Sequence, residues 1–175
     1  MIQLIKSIKA NNVINIGNFK LASGKQSNIM FDCKNLTLDS EGIKLASHEL
    51  FQKLIEYQFD CIGGLELGAI PIVTGLLAYC PYQLKGFIVR KQTKEHGTKK
   101  LIEGPVKPGM RCVIVEDVTT TGGSALKAWQ VAQEFGMIPV VVASIINREE
   151  GATELFANLK IPFFSLLTKA QLVGA

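Results

Sequence analysis

One segment, Arg111-Cys-Val-Ile-Val-Glu-Asp-Val-Thr-Thr-Thr-Gly-Gly-Ser124, constrains this 175-residue chain more than any other. Val113, Ile114 and Val115 make a short, unbroken β-branched run, the composition of a strand covered on both faces. A strand of that kind belongs in a parallel sheet with helices above and below it. Two carboxylates, Glu116 and Asp117, close the run. Positions 119–124 then supply hydroxyls and, through Gly122 and Gly123, unhindered backbone N–H groups where a helix is expected to begin. Such a turn favours an anion, because helix-start amides are unpaired and the helix dipole is positive there. The acidic pair at its mouth suits two tasks, accepting hydrogen bonds from vicinal hydroxyls or holding a metal ion. A phosphate cradle beside a carboxylate pair fits a phosphorylated sugar. Other phosphate motifs fail: there is no Gly-Lys-[Ser/Thr], and Gly63-Gly-Leu-Glu-Leu-Gly68 has the wrong spacing for a dinucleotide fingerprint.

Periodicity along the rest of the chain supports the same architecture. A first helix over positions 1–10 is followed by short strands at 13–21 and 28–32. Asp39 caps a helix running to about position 57. Strands are then expected at 60–63, 86–90, 111–116, 140–146 and 163–167, and helices at 69–79, 123–135 and 151–159. Strands alternating with helices predict an α/β fold, a mainly parallel sheet flanked by helices. We expect one domain over 1–175, with 1–38 as an N-terminal cap. In such sheets ligands bind at the carboxyl ends of the strands. Gly63-Gly64, Arg90-Lys91, Glu116-Asp117 and Asn147-Arg148 all fall at predicted strand ends.

Composition narrows the class. Hydrophobic residues make up 47% of the chain, enough for a sizeable core rather than disorder. The net charge of +4 and pI near 8.9 are compatible with an anionic substrate and are no argument for nucleic acid. Cys33, Cys61, Cys80 and Cys112 stand far apart, without a C-x-x-C, and read as free thiols of a reducing compartment. His48 and His96 have no metal-ligand spacing. His48 falls mid-helix and reads as structural, and Trp129 as packing. Leu4, Ile5 and Ile8 share one helical face, while Lys6 and Lys9 interrupt any signal-peptide core. No apolar run is long enough to span a bilayer, so a cytoplasmic location without membrane contact is expected.

A second segment carries charge. The stretch Arg90-Lys-Gln-Thr-Lys-Glu-His-Gly-Thr-Lys-Lys-Leu-Ile-Glu-Gly104 packs Arg90, Lys91, Lys94, His96, Lys99 and Lys100 between two strands. A solvated surface hairpin is one reading of such a run. The other is a catalytic lid over 91–104, hinged at Gly97 and Gly104, because the loop leaves the rim that carries the cradle. Cations over the phosphate groups of a bound ligand stabilise negative charge that develops there, and closure excludes water.

The 111–124 segment resembles the phosphoribosyl-diphosphate (PRPP) signature of type I phosphoribosyltransferases, an apolar strand followed by [DE]-D-x-x-[TS]-[TSA]-G-[GT]-[ST]. The chain further resembles the orotate phosphoribosyltransferase family. It does so through Val89-Arg-Lys-x-x-Lys-x-His-Gly-Thr98 with Leu101-Ile-Glu-Gly104, Phe19-x-Leu-x-Ser-Gly-Lys-x-Ser27, Gly63-Gly-Leu-Glu-Leu-Gly-Ala-Ile-Pro71 and Asn147-Arg-Glu-Glu-Gly151. The resemblance spans about 19–151 in the family's order. It implies the Rossmann-like type I fold and transfer of a phosphoribosyl group from PRPP to orotate, giving orotidine 5′-monophosphate and diphosphate in de novo pyrimidine synthesis. It implies Mg²⁺ carried with the PRPP diphosphate, no metal site certain in the protein alone, and a homodimer whose loop reaches the neighbouring site.

Carried over by resemblance, Arg90, Lys94 and His96 serve the partner's diphosphate, with Lys91 nearby. Lys94, His96 and Asp117 become the catalytic candidates. Glu116 and Asp117 hold the ribose hydroxyls, while Val118, Thr119, Thr120, Thr121, Gly122, Gly123 and Ser124 cradle the 5′-phosphate. Thr120 and Arg148 match positions that contact orotate, and an arginine fork pairs bidentately with a carboxylate. Phe19 and Phe31 either line the base pocket or fill the cap. Positions 23–27 read as a turn near the pyrimidine.

Three positions depart from the best-known bacterial members. Ala22 stands where some carry a lysine, leaving open whether Lys25 substitutes; Gly68 replaces a lysine; Glu116 replaces the first aspartate of the pair. Two other functions share parts of the pattern. A purine phosphoribosyltransferase would share the PRPP loop but not the Arg-Lys-x-x-Lys-x-His run or an Arg148. A regulator that senses PRPP and binds nucleic acid would need a strongly basic face rather than charge concentrated in one loop.

Overall fold

The computed structural model of the chain describes residues 1–20, 26–92 and 100–174. Its centre is a six-stranded sheet built from β3 (Cys61–Leu65), β4 (Lys85–Val89), β5 (Ile102–Glu103), β6 (Arg111–Thr119), β7 (Ile138–Asn147) and β8 (Phe163–Thr168), in the order β5-β4-β3-β6-β7-β8. All pairs are parallel except β4 with β5. Parallel neighbours need crossover helices, and the chain supplies α4 (Ala69–Tyr79), α5 (Gly123–Glu134) and α6 (Ala152–Asn158) between them.

Successive side chains of a strand point to opposite faces, and β6 sorts its residues accordingly. Val113 and Val115 pack with Leu50 and Leu54 of α3 (Ser40–Leu54) and with Ile72 and Leu76 of α4. Cys112 and Ile114 pack on the other face with Ala128 and Trp129 of α5 and Phe156 of α6. The continuous β-branched run thus has its expected cause, and Trp129 is packing. Leu4 and Ile8 of α1 (Ile2–Ala10) join the first layer. Asp39 caps α3, its Oδ2 accepting from the amides of Glu41 and Gly42 at 3.1 and 2.7 Å. The cap is an antiparallel ribbon of β1 (Ile14–Lys20) and β2 (Gln26–Phe31), followed by the short α2 (Lys34–Thr37).

The elements expected from periodicity are present, with shifted ends. Helix α3 stops at Leu54 rather than near 57. Strand β6 runs three residues past Glu116 to Thr119, because β7 continues to pair with it there, Val118 against Ile146 and Thr119 against Asn147. Two short helices escaped the sequence reading, α2 and α7 (Lys169–Val173), both too brief for a helical period to register. So did β5, a two-residue strand inside the 91–104 stretch. Cys33, Cys61 and Cys112 are buried free thiols, and Cys80 is partly buried. Among the described residues, no helix is long and apolar enough to cross a membrane.

Candidate active site

From β3 the chain passes through α4 to β4 on one side, whereas from β6 it passes through α5 to β7 on the other. Divergent connections leave a crevice at the carboxyl ends of β3 and β6. A cleft of about 630 Å³ opens there, lined by Leu65, Glu66, Leu67 and Gly68 from one side and residues 116–125 from the other. Lys34 and Lys91 complete its wall.

Glu116 is the most constrained group in the cleft. It is 7% exposed, and its Oε2 finds no hydrogen-bond partner among the described residues. Burial, followed by the negative charge of Asp117, pushes its carboxyl well above the ordinary value of 4.5. An unpaired polar atom in a packed interior costs free energy unless a ligand supplies the missing contact. Asp117 is half-buried, and its Oδ1 accepts from the Val118 amide at 2.8 Å.

The turn beyond divides its labour in a way the motif conceals. Thr119 is buried; its hydroxyl lies 3.2 Å from that of Ser144 and 3.4 Å from the Ile146 carbonyl. Its own carbonyl accepts from the Arg148 amide. The Val118 amide is already engaged by Asp117. The groups that can face an anion are therefore those of Thr120, Thr121, Gly122, Gly123 and Ser124. Gly122 caps α5 at φ +84°, and a Cβ there would sit about 3.0 Å from Leu155 and Phe156. The first-turn amides of α5 have no acceptor within the helix. Carboxylates on one side and helix-start amides on the other make a site for a polyol phosphate.

Gly68 explains one departure from the family pattern. A Cβ on it would fall inside van der Waals contact of the Asp117 carboxylate, so a larger residue here requires that side chain to move aside. Glu66, on the same loop, accepts from the Lys91 amide through Oε1 at 2.9 Å.

Arg148 is placed differently from the sequence expectation. It lies directly after β7, 3% exposed, and does not line the cleft. Its Nε and Nη2 both donate to Glu150 Oε1, at 3.1 and 2.9 Å, Nη2 also to Ser27 Oγ, and Nη1 to the Ile29 carbonyl at 3.1 Å. The guanidinium also covers the ring of Phe31, 5.5 Å from its centroid, so Phe31 is packed beneath it. Glu150 thus holds the bidentate edge that the sequence reading reserved for a substrate carboxylate. One Nη1 hydrogen is left without a partner among the described residues.

The remaining expectations sort as follows. Lys91, Glu116, Asp117, Val118, Thr119, Thr120, Thr121, Gly122, Gly123 and Ser124 share the cleft. Arg90 stands outside it, its amide bonded to the Leu101 carbonyl and its guanidinium 3.6 Å from Glu103. Lys94 and His96, like Ala22 and Lys25, lie outside the described residues. His48 is exposed and pairs through Nδ1 with the Tyr79 hydroxyl at 2.7 Å. Sequence reasoning missed Lys34, Glu66 and Glu150. Charge pairs two residues apart, Lys34 with Asp32 and Arg148 with Glu150, were the local signals for two of them, and Glu66 had none of this kind.

Comparison with known proteins agrees with this geometry. Residues 36–161 match the family described as Phosphoribosyl transferase domain. The chain is 45% identical to the orotate phosphoribosyltransferase of Rhodopseudomonas palustris (strain BisB5) over 166 residues, 90% of this chain and 88% of the relative. It is 42% identical to that of Pyrococcus abyssi over 175 residues, covering 99% and 95%. It also resembles the crystal structure of Mycobacterium tuberculosis orotate phosphoribosyltransferase in complex with PRPP, with a TM-score of 0.83 and 29% identity over 98% of this chain and 97% of that one.

Proposed function

This chain belongs to the orotate phosphoribosyltransferase family, and on that premise we propose that it transfers the phosphoribosyl group of PRPP to N1 of orotate, giving orotidine 5′-monophosphate and diphosphate. The reaction is a step of de novo pyrimidine synthesis, carried out in the cytoplasm. The observation that carries the proposal is the buried Glu116 carboxylate beside Asp117, its Oε2 without a hydrogen-bond partner among the described residues, facing the amides at the start of α5 across one cleft.

In this reading the 5′-phosphate accepts from the amides and hydroxyls of residues 120–124, where the dipole of α5 favours it. The ribose hydroxyls donate to Glu116 and Asp117, giving the orphaned Oε2 its partner. Held at both ends, the ribose presents C1 to the base, and positioning of this kind carries much of the barrier reduction. Oxocarbenium charge on the ribose develops near two carboxylates. The departing diphosphate carries the opposite charge, and Lys91 on the cleft wall meets it. Thr120 and the free Nη1 hydrogen of Arg148 orient orotate.

The cleft's carboxylate pair also fits Mg²⁺, which binds through one or two carboxylates together with substrate phosphates. When bound, the ion draws charge from the leaving diphosphate.

The working unit is a homodimer in which Arg90, Lys94 and His96 serve the site of the partner copy. What supports an assembly is exposed apolar surface, Leu67 on the cleft wall and Leu38 at the end of α2. Mixing an inactive Lys94→Ala protein with an inactive Asp117→Asn protein should restore part of the activity. Confirmed mixed dimers with no recovery would rule the sharing out.

The direct test follows orotate absorbance in purified protein with PRPP and Mg²⁺, alongside reactions lacking either. Consumption that needs both is the expected result. Folded, PRPP-binding protein that leaves orotate untouched but consumes uracil, adenine or hypoxanthine would overturn the choice of base.

A further inference from the structure

Glu66 is out of place in a cleft meant for phosphates. It is a half-buried carboxylate on the wall that faces the cradle, where an anionic ligand would repel it. The structure gives it a task of another kind. Its Oε1 accepts from the backbone N–H of Lys91 at 2.9 Å. On the other side of the same residue, Lys127 of α5 donates through Nζ to the Lys91 carbonyl at 2.9 Å. One residue earlier, the Arg90 amide is bonded to the Leu101 carbonyl. Lys91 lies past the end of β4 and has no place in the sheet ladder. Its backbone is instead held by two side chains from different elements, the β3–α4 loop and α5.

We propose that Glu66 and Lys127 are positioning residues for the transfer reaction: by holding the two backbone groups of Lys91, they keep its ammonium group on the cleft wall beside Glu116 and Asp117. The proposal rests on the functional reading above for what the cleft binds. Lys91 lines the same cleft as the acidic pair, and its positive charge reaches Glu116, where it opposes the effects of burial. A lysine carries a flexible side chain, so its usefulness to a leaving diphosphate depends on where its backbone is anchored. Both holding bonds span long sequence separations, 25 residues for Glu66 and 36 for Lys127, and no local motif announces them.

The test uses the full-length protein and the variants Glu66→Ala, Glu66→Gln, Lys127→Met, Lys127→Arg and Lys91→Ala, with each disruptive change also made in the Lys91→Ala background. PRPP KM is read from orotate consumption with Mg²⁺, and PRPP Kd by calorimetry. We expect Glu66→Ala and Lys127→Met each to weaken PRPP by about three- to tenfold while the melting temperature stays within about 2 °C. Glu66→Gln keeps an oxygen acceptor and Lys127→Arg keeps a cationic donor, so both should stay within about twofold of the parent. In the Lys91→Ala background the disruptive changes should add less than about twofold, since they act through that side chain.

Parental PRPP affinity in Glu66→Ala and Lys127→Met would overturn the proposal. So would tighter PRPP binding in both Glu66 variants, which would mean that the carboxylate acts only by repulsion. Full multiplication of effects in the Lys91→Ala background would overturn it as well. Protein that binds PRPP without consuming orotate would sink the assignment of the base, and the calorimetric series would still decide the fate of the Lys91 anchor.

Discussion

Two neighbouring strands end within a few residues of each other on the same rim, and they finish in opposite ways. At the end of β6 the polar groups are left short. Glu116 Oε2 is buried without a partner among the described residues, and the amides opening α5 have no acceptor within the helix. At the end of β7 the polar groups are largely spent internally, with one Nη1 hydrogen of Arg148 left over among the described residues. Arg148 donates to Glu150, Ser27 and Ile29. Asn147 bridges the Glu149 amide and the Thr153 hydroxyl, and the Glu149 carboxylate accepts from the Ala170 amide. The first end stores unmet hydrogen-bonding capacity for a ligand. The second ties the N-terminal ribbon, α6 and α7 to the sheet. Proximity to an active site is therefore poor evidence of a catalytic role; the partners a group already has say more.

The largest effect should come from breaking the closed end. Arg148→Ala takes the donor away from Ser27 and the buried Ile29 carbonyl and leaves Glu150 with Lys169, 3.9 Å away, as its remaining cation among the described residues; breaking a hydrogen-bond network of this kind costs roughly 3 kcal/mol. Chemical denaturation should show that loss in protein without substrate. Unchanged stability would mean that Arg148 is no tie at all.

At the open end, Asp117→Asn should cut kcat/KM by about a hundredfold, or ~2.7 kcal/mol of transition-state stabilisation, with little change in melting temperature. A variant that unfolds instead would erase the contrast between the two ends.

Gly122→Ala sharpens the comparison from the cradle side. Its φ of +84° and the nearby Leu155 and Phe156 side chains leave no relaxed place for a methyl group. We expect a loss of about 1–3 kcal/mol in stability, together with weaker PRPP binding. Weaker binding alone would show that the turn adapts.

The subtlest effect is one of pH. The Glu116 carboxyl titrates above its ordinary 4.5 when folded, so the native state holds a proton that the unfolded chain has released. Stability from this group is present below about 4.5 and is lost as pH rises towards the raised value. Glu116→Gln should remove that decline from the pH profile of unfolding while weakening PRPP. An identical profile in parent and variant would show that Glu116 is not strained in the free protein.

Much of the architecture was legible because its causes are local. The β-branched run 113–115, the cap at Asp39 and the helix Ala69–Tyr79 each follow from residues close in sequence. The PRPP signature likewise compresses strand, acid pair and turn into one stretch, which is why residues 116–124, close in sequence, also share one wall of the cleft. What escaped was short or was made by distant pairing. Two-residue β5 has no period to detect. Thr119 looks like its neighbours Thr120 and Thr121, yet only β7 turns its hydroxyl inward towards Ser144.

By itself the sequence determined the α/β class, the order of the longer elements, the glycine turn after β6 and the family. These depend on patterns that repeat or cluster within some twenty residues. Only the tertiary structure decided which polar groups remain available. Arg148 meets Ile29 across 119 residues, Lys91 meets Glu66 across 25, and Gly68 makes room for Asp117 from another strand. Hydrogen bonding is short-ranged and directional, so whether a donor is free for a ligand or already engaged depends on neighbours that chain folding alone brings within about 3 Å.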